Sequence, residues 1–229
     1  MSWWLLTFAR SGPARYLSHL DTARAMQRVF ARAGVPIALS EGMRPKPRIS
    51  LPLPLPVGAA GRAELVVVEV PGEVTDHLAA LKALRESSPP GLRPEQIVLA
   101  GEVHPRPQVV EADYACVLEG DAGGLRAAVE RYASVDTVVR ERVSPKGRRT
   151  LDLKMYVGHA AAEPVPQGAK ISFTIRHRDD GAARPQEFID QIAEWAEVEA
   201  AMRSLERGRI AWKGLPQAPS PGAGRSVSP

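Results

Sequence analysis

The sequence contains a single cysteine, Cys116, among 229 residues. One thiol cannot form an intramolecular disulfide, a cysteine-based zinc site or the ligand set of an iron–sulfur cluster. Its neighbours, residues 114–118, are typical of a strand, so we predict a buried and unreactive thiol. The chain therefore lacks the ligands that a self-sufficient redox enzyme built on a metal cluster would need.

Long hydrophobic runs are also missing from the sequence. No stretch approaches the roughly 18 apolar residues that a membrane-spanning helix needs. The apolar residues 1–8 follow no basic leader and precede no small-residue cleavage site, so they indicate a first strand and not a signal peptide. We expect a cytoplasmic protein without a membrane partner.

Recognisable metal and cofactor motifs are absent. The histidines at 77, 104, 159 and 177 do not have the spacing of metal ligands. The sequence has neither a phosphate-binding Gly-Lys-Ser/Thr loop nor a dinucleotide-binding glycine pattern. We expect this chain to bind no metal and no cofactor.

Basic charge is present, and it is concentrated near the start of the chain. Residues 1–50 contain eight Lys/Arg and two Asp/Glu, a net charge of +6, whereas the whole chain carries +4. A local excess of this kind indicates an anionic partner, with nucleic acid the first candidate. A solvated, solubilising surface is the alternative explanation.

The hydrophobic pattern predicts two successive sets of strands and helices. The first set comprises strands at 3–10, 37–40, 51–57 (or a polyproline-like segment), 64–70 and 97–103, with helices at 18–34 and 75–86. The second comprises strands at 113–119, 137–143, 149–157, 170–177 and 203–213, with helices at 124–133 and 185–195. We predict an α+β protein of two tandem ferredoxin-like (βαββαβ) domains, 1–104 and 109–215, followed by a disordered tail at 216–229.

The first helix has a capping sequence and two different faces. Ser18 and Asp21 have the spacing of a helix start, and Gly34 and Pro36 end the pattern. The predicted inward positions are Leu20, Ala23, Met26, Phe30 and Ala33. On the other side Arg24, Arg28 and Arg32 recur every four residues, where they can follow a phosphate backbone or face solvent.

Several ordered blocks resemble a known family. They are Ala-Arg-Tyr-Leu-Ser-His-Leu-Asp at 14–21, Arg-Ala-Gly-Val-Pro at 32–36, Ser-Glu-Gly-Met-Arg-Pro-Lys-Pro at 40–47 and Leu-Pro-Leu-Pro-Val-Gly at 53–58. With a later Asp-Leu block at 149–157, these resemble the radical-SAM-linked protein family, a domain of unknown function found alone or fused to radical SAM proteins. The chain has Met43-Arg44 where the family often has Phe-Asn.

The resemblance implies work beside a radical SAM enzyme that modifies RNA or a translation component. Because this chain has one cysteine, that partner would be a separate polypeptide carrying the iron–sulfur cluster and S-adenosylmethionine. The candidate residues for binding RNA or another substrate are Arg15, His19, Arg24, Arg28, Arg44, Lys46 and Arg48.

Two other functions remain open. The paired-domain prediction is similar, at the level of fold alone, to the RNA-processing endoribonucleases of CRISPR systems. In that case His19 would act as acid or base, with Tyr16 and either Lys46 or Arg44 beside the transition state. A plain role for His19 at the helix end is the alternative. The Leu-Pro repeat at 51–56 could instead dock a protein, or it could be a covered edge strand.

Overall fold

The computed structural model describes residues 1–72, 76–144, 147–199 and 202–215. These residues form a mixed α+β structure. The first half contains β1 (Ser2–Arg10), α1 (His19–Arg32), β2 (Ile49–Ser50), β3 (Ala60–Val70), α2 (His77–Glu86) and β4 (Leu92–Gly101). The second contains β5 (Gln108–Glu119), α3 (Ala122–Ser134), β6 (Val139–Ser144), β7 (Gly147–Asp152), β8 (Val157–Val165), β9 (Gly168–Arg176), α4 (Pro185–Trp195) and β10 (Met202–Lys213).

One mostly antiparallel sheet runs through both halves. Its strand order is β4-β1-β3-β10-β5-β9-β8, β2 pairs with β3 off this path, and β6 and β7 form a separate hairpin. The halves meet where β10 runs parallel to β3, pairing Glu206 with Ala60 and Arg207 with Gly61. The predicted domain boundaries at 104 and 109 stay predictions, and the sheet is continuous across them.

The helices bury the main apolar clusters against this sheet. In the first half Trp4, Leu6 and Phe8 of β1 pack with Met26 and Phe30 of α1. In the second half α3 and α4 pack on β5 and β9 in a cluster that includes Leu125, Phe188, Leu118, Ile171 and Phe173. Since successive side chains of a strand point to opposite faces, the residues between these apolar positions lie on the other face of the sheet.

A β-bulge in β3 interrupts that alternation close to the junction of the halves. Phe8 pairs with Glu64 but Arg10 pairs with Gly61, so β3 has one extra residue between these pairs. Glu64 and Gly61 consequently lie on the same face, and a Cβ at position 61 would collide with the Glu64 carboxylate. The absence of a side chain at Gly61 leaves the space that this carboxylate occupies.

A buried ion pair fills this junction. Arg207 of β10 is 0% exposed and Glu64 is 4% exposed. Arg207 Nε donates to Glu64 Oε1 at 3.0 Å, and its Nη2 donates to Oε2. Burial would lower the pKa of Arg207, but the hydrogen bonds and negative charge of Glu64 raise it above the ordinary value, so the guanidinium is charged.

Two buried arginines also hold the proline-rich segment, residues 51–58, by its carbonyl groups. Arg207 donates to the carbonyls of Pro54 at 2.9 Å and Leu53 at 3.0 Å. Arg10, which is 1% exposed, donates to the carbonyls of Pro56 at 2.7 Å and Ala59 at 3.1 Å. Proline lacks a backbone N–H, so the three prolines of this segment bring carbonyl acceptors to the arginines without adding donors that need partners.

Much of the sequence-based prediction is confirmed. Helix α4 spans the predicted residues, and α1 begins after Ser18, whose side chain accepts a hydrogen bond from the Asp21 backbone. Gly34 follows α1 with a φ of +68°, a conformation that favours glycine. Cys116 is buried as predicted, and burial raises the pKa of its thiol to about 12.

Other predictions are wrong in detail. Leu20, a predicted inward position of α1, is 65% exposed, because the buried stripe of this helix includes Thr22 and Val29 beside the predicted Met26 and Phe30. In α2 the sequence pattern predicts Leu78, Ala80, Leu81 and Leu84 inward; Ala80 and Leu84 are buried, whereas Leu78 is 81% exposed. The predicted strand at 149–157 ends at Asp152, which accepts hydrogen bonds from the backbones of Val138 and Lys154. A 3-10 turn follows, and then β8, which was not predicted.

Two predicted short strands are absent as strands in the structure. The predicted strand at 37–40 is a single bridge from Leu39 to Pro47, and residues 51–57 form no strand, leaving the extended alternative. The predicted tail at 216–229, Thr75 of the predicted second helix, and residues 145–146 lie outside the described residues. In the described part of the chain, no helix has the length and apolar character to cross a bilayer.

The ion pair makes a prediction about stability. Replacing Arg207 with methionine leaves the Glu64 carboxylate buried without its cation, which costs about 3–5 kcal/mol of unfolding free energy. Urea titration of the purified protein measures this loss. A matched control is Arg209→Met, since Arg209 is exposed and pairs with Glu111 and Asp113 at the surface; its cost is about 1 kcal/mol or less. Equal losses in the two variants would contradict the assignment.

Candidate functional site

The predicted site residues around the start of α1 lie close together. A 3-10 helix, Gly12–Tyr16, leads into Ser18, so Arg15 and Tyr16 immediately precede α1. Arg15 donates to the Tyr16 hydroxyl at 2.7 Å, and the Tyr16 side chain is exposed. An exposed aromatic ring beside a guanidinium is a surface on which an unpaired base can stack.

His19 lies on the inner side of the same helix end. It is half-buried and lines a cavity of about 10 Å³ together with Phe8, Arg10, Thr22, Glu64 and the leucines of the proline-rich segment. This volume is about that of a single water and cannot admit a phosphate group. Any RNA contact with His19 would therefore be made from its solvent side.

The arginine stripe of α1 faces solvent as predicted. Arg24, Arg28 and Arg32 are all exposed. Arg24 lies 3.4 Å from the carboxylate of Asp21, the acid in the first turn. Within the described residues, no carboxylate lies within 4 Å of Arg28 or Arg32, so their charges are available to an anion.

The loop before β2, residues 40–48, contains both free and engaged cations. Arg44 and Lys46 are exposed, and the backbone of Lys46 closes the loop onto Ser40 through two hydrogen bonds. Arg48 instead lies 2.7 Å from the carboxylate of Glu69 and covers the Trp3 ring.

The two sheet faces separate Arg48 from His19. Trp3, the partner of Arg48, packs on the face of β1 opposite to Phe8 and Arg10, which surround His19. Arg48 and His19 therefore do not form one site. Arg48 is engaged in holding the end of the sheet, whereas Arg44 and Lys46 are free.

A cleft between the two halves was not predicted from the sequence. It has a volume of about 510 Å³ and is lined on one side by the proline-rich segment and on the other by residues 182–186, at the start of α4. Its apolar lining includes Leu53, Leu55, Ala183, Pro185 and Leu205. Its size falls within the range of about 300–1,000 Å³ that is usual for small-molecule sites.

A few polar groups face this cleft. Tyr114 is 5% exposed, and its hydroxyl accepts a hydrogen bond from Arg207 at 3.3 Å. Burial raises the pKa of Tyr114, so its hydroxyl is protonated at neutral pH. Burial, with a smaller contribution from the charge of Arg207, lowers the pKa of His177, so that ring is neutral.

Arg142 is neutralised where it faces the cleft. Its Nε and Nη2 donate to the two carboxylate oxygens of Glu187 at 2.5 Å and 2.7 Å. Burial would raise the pKa of Glu187, but these hydrogen bonds and the positive charge of Arg142 lower it. Arg184 at the rim is exposed and, among the described residues, has no carboxylate within 4 Å of its guanidinium.

The opposite, helix-free face of the second half carries a shallow polar depression of about 610 Å³. Arg62 there lies 2.6 Å from Glu206, and Arg209 pairs with Asp113 and Glu111. Most of its charge is therefore neutralised internally. In the described residues no three His, Cys, Asp or Glu side chains converge to hold a metal ion, and the sequence-based expectation of no metal site stays a prediction.

Comparisons with known proteins identify the family to which the chain belongs. No curated protein matches the chain. Among solved structures, the crystal structure of an unknown protein from Galdieria sulphuraria is 14% identical, with 93% of this chain and 98% of that chain covered. Its TM-score of 0.24 is too low to support an argument. A family model described as an uncharacterized protein conserved in bacteria (DUF2344) matches residues 4–185, and the chain belongs to this family.

Proposed function

We propose that this protein is an RNA-binding accessory protein that holds an RNA for a separate radical SAM enzyme. The observation that carries the RNA-binding part is a set of exposed cations in residues 1–50 without carboxylate partners among the described residues. The set consists of Arg28, Arg32, Arg44 and Lys46. It is called the free cations below.

An exposed aromatic ring in the same half of the protein also favours RNA as the partner of the free cations. Phosphate contacts give affinity without sequence preference, and an exposed aromatic adds stacking with unpaired bases. Tyr16, 61% exposed and preceded by Arg15, supplies that ring in the same part of the chain. Single-stranded or loop RNA, with its bases accessible, is therefore the favoured substrate.

The strand order of the sheet supports the tandem ferredoxin-like fold. The proposed tandem ferredoxin-like assignment rests on a repeated strand order: β4-β1-β3, with β2 beyond β3, in the first half, and β10-β5-β9-β8 in the second. In both orders the fourth strand of a unit lies beside its first. The hairpin of β6 and β7 is an addition to the second unit, and folds of this kind have many functions.

The radical SAM partner is inferred from the sequence blocks at 14–21, 32–36, 40–47 and 53–58. The partner would supply the cluster and S-adenosylmethionine, and this chain would supply RNA contacts. Transfer or ribosomal RNA is the favoured class, because the resemblance points to RNA modification or translation.

The proposal predicts a steep dependence of RNA binding on salt. Replacing all four free cations with glutamine should weaken binding to a labelled single-stranded RNA. It should also flatten the plot of log affinity against log salt by about 0.7 for each phosphate that the variant no longer neutralises. Fluorescence anisotropy at several salt concentrations measures both effects.

The control removes the same charge from cations that already have partners. Arg126, Arg148, Arg178 and Arg203 are exposed, and each lies within 4 Å of a carboxylate. Their replacement with glutamine should leave the slope nearly unchanged. If the wild type shows no RNA binding at low salt, the proposed function is wrong.

A metal-independent endoribonuclease stays a second candidate, because His19 is half-buried beside Arg10, Glu64 and the helix end. It ranks below binding, since the adjacent cavity is too small for a phosphate. This candidate predicts RNA cleavage in the presence of a chelator, with His19→Ala slowing it about a hundredfold or more. His159→Ala, which alters an exposed histidine of the second half, is the control. Cleavage at equal rates by wild type and His19→Ala would rule this candidate out.

A docking role for the proline-rich segment is the third candidate. Its carbonyls are bound by Arg10 and Arg207, but Val57 is 63% exposed and available to a partner. Val57→Glu should then reduce co-purification of a radical SAM protein from native cells. Val139→Glu, at a position 62% exposed on β6, should not. Unchanged recovery of the radical SAM protein with Val57→Glu would contradict a docking role for this segment.

A further inference from the structure

We infer that the cleft between the two halves is a binding site for one unstacked nucleotide, with the base inside and the phosphate at the rim. The inference rests on the proposed RNA binding, which it makes more specific. It starts from the cleft of about 510 Å³ between the proline-rich segment and the start of α4. Four features of this cleft support the inference.

The first feature is a rigid apolar wall. Leu53, Pro54, Leu55 and Pro56 form that wall, and their carbonyls accept hydrogen bonds from Arg207 and Arg10. A wall fixed before the ligand arrives loses little conformational entropy on binding. The flat ring of a base can pack against such a surface without further ordering of the protein.

The second feature is a pair of polar groups with unused hydrogen-bonding capacity. The Tyr114 hydroxyl accepts from Arg207, but among the described residues no acceptor receives its own proton. The His177 ring likewise makes no hydrogen bond within the described residues. A neutral imidazole has one donor and one acceptor, and base edges present both kinds of group.

The third feature is the distribution of charge along the cleft. Arg142, which lines the cleft, is neutralised by Glu187, and Arg207, which donates to the cleft-lining Tyr114, is neutralised by Glu64. An uncharged ring therefore suits the interior better than a carboxylate or phosphate would. At the rim the Arg184 guanidinium is exposed and, in the described part of the chain, has no carboxylate within 4 Å, while its backbone N–H donates to Glu187. A phosphate is therefore favoured at this guanidinium.

The fourth feature is continuity with the proposed RNA surface. The leucines of the proline-rich segment also line the small cavity that contains His19. At the far end of the segment, the backbone of Gly58 donates to the carbonyl of Arg15 at 2.7 Å. A strand contacting Arg15 and Tyr16 therefore reaches the cleft along one short segment.

The test uses the intact protein with the four nucleoside 5′-monophosphates and, separately, a labelled single-stranded RNA. Calorimetry measures mononucleotide binding, and anisotropy measures RNA binding. Val57→Trp places a bulky ring at the mouth of the cleft, and His177→Phe removes the ring nitrogens while keeping the shape. Each variant should weaken binding of at least one mononucleotide about tenfold. For His177→Phe this is roughly the effect of losing one buried hydrogen bond, and for Val57→Trp it reflects the space that the ring occupies.

Val139→Trp is the matched control, since Val139 is as exposed as Val57 but does not line the cleft. It should bind like the wild type. Thermal melting of each variant shows whether a loss of binding reflects unfolding, and Arg184→Gln, at an exposed rim position, gives a further variant that spares the core.

The outcomes separate this inference from the proposed function. If RNA binds, but no mononucleotide does and Val57→Trp leaves RNA affinity unchanged, the cleft inference is overturned and the RNA-binding proposal stands. If mononucleotides bind in the cleft but RNA does not, the site takes free nucleotides and the RNA proposal fails. Competition between RNA and mononucleotide that disappears in Val57→Trp supports both.

Discussion

The structure depends on one buried contact, the pairing of Arg207 with Glu64. Removing two charges from water costs several kcal/mol each, and their attraction offsets this only when the remaining hydrogen-bonding groups are also satisfied. Here the other Arg207 donors reach the carbonyls of Leu53 and Pro54. The contact thus joins β3 and β10 and fixes the segment between β2 and β3. The cleft exists in its present shape because this segment cannot collapse into it.

The same cluster shows why charge counts from a sequence are incomplete. Arg10 contributes to the +6 of residues 1–50, but it is buried and donates to the carbonyls of Pro56 and Ala59. Arg48 is paired with Glu69. Arg28, Arg32, Arg44 and Lys46 remain free among the described residues. The local excess therefore shrinks in the folded protein, while the cations that remain are those most able to meet a phosphate.

The sequence predicted correctly those elements whose pattern is local. The alternation of Ile171, Phe173 and Ile175 predicts β9, and a proline in the first turn predicts the start of α4. The bulge in β3, the turn at Asp152 and the rotation of Leu20 out of the core depend on partners distant in sequence. The cleft could not be foreseen for the same reason, since its walls come from residues 53–57 and 182–186. The exposed arginine stripe of α1 was predictable because one helix determines it.

The position of β10 affects how the protein forms during translation. This strand is the last in the described chain, but it lies in the middle of the sheet, between β3 and β5. A nascent chain that has emerged only through α4 has both neighbouring strands and no strand to fill the gap. Until residue 207 leaves the ribosome, Glu64 lacks the arginine that it pairs with in the folded protein. The proline-rich segment also lacks the hydrogen bonds that Arg207 donates to Leu53 and Pro54. The two halves therefore join only after β10 has emerged, and the strand edges of β3 and β5 are exposed to other chains until then.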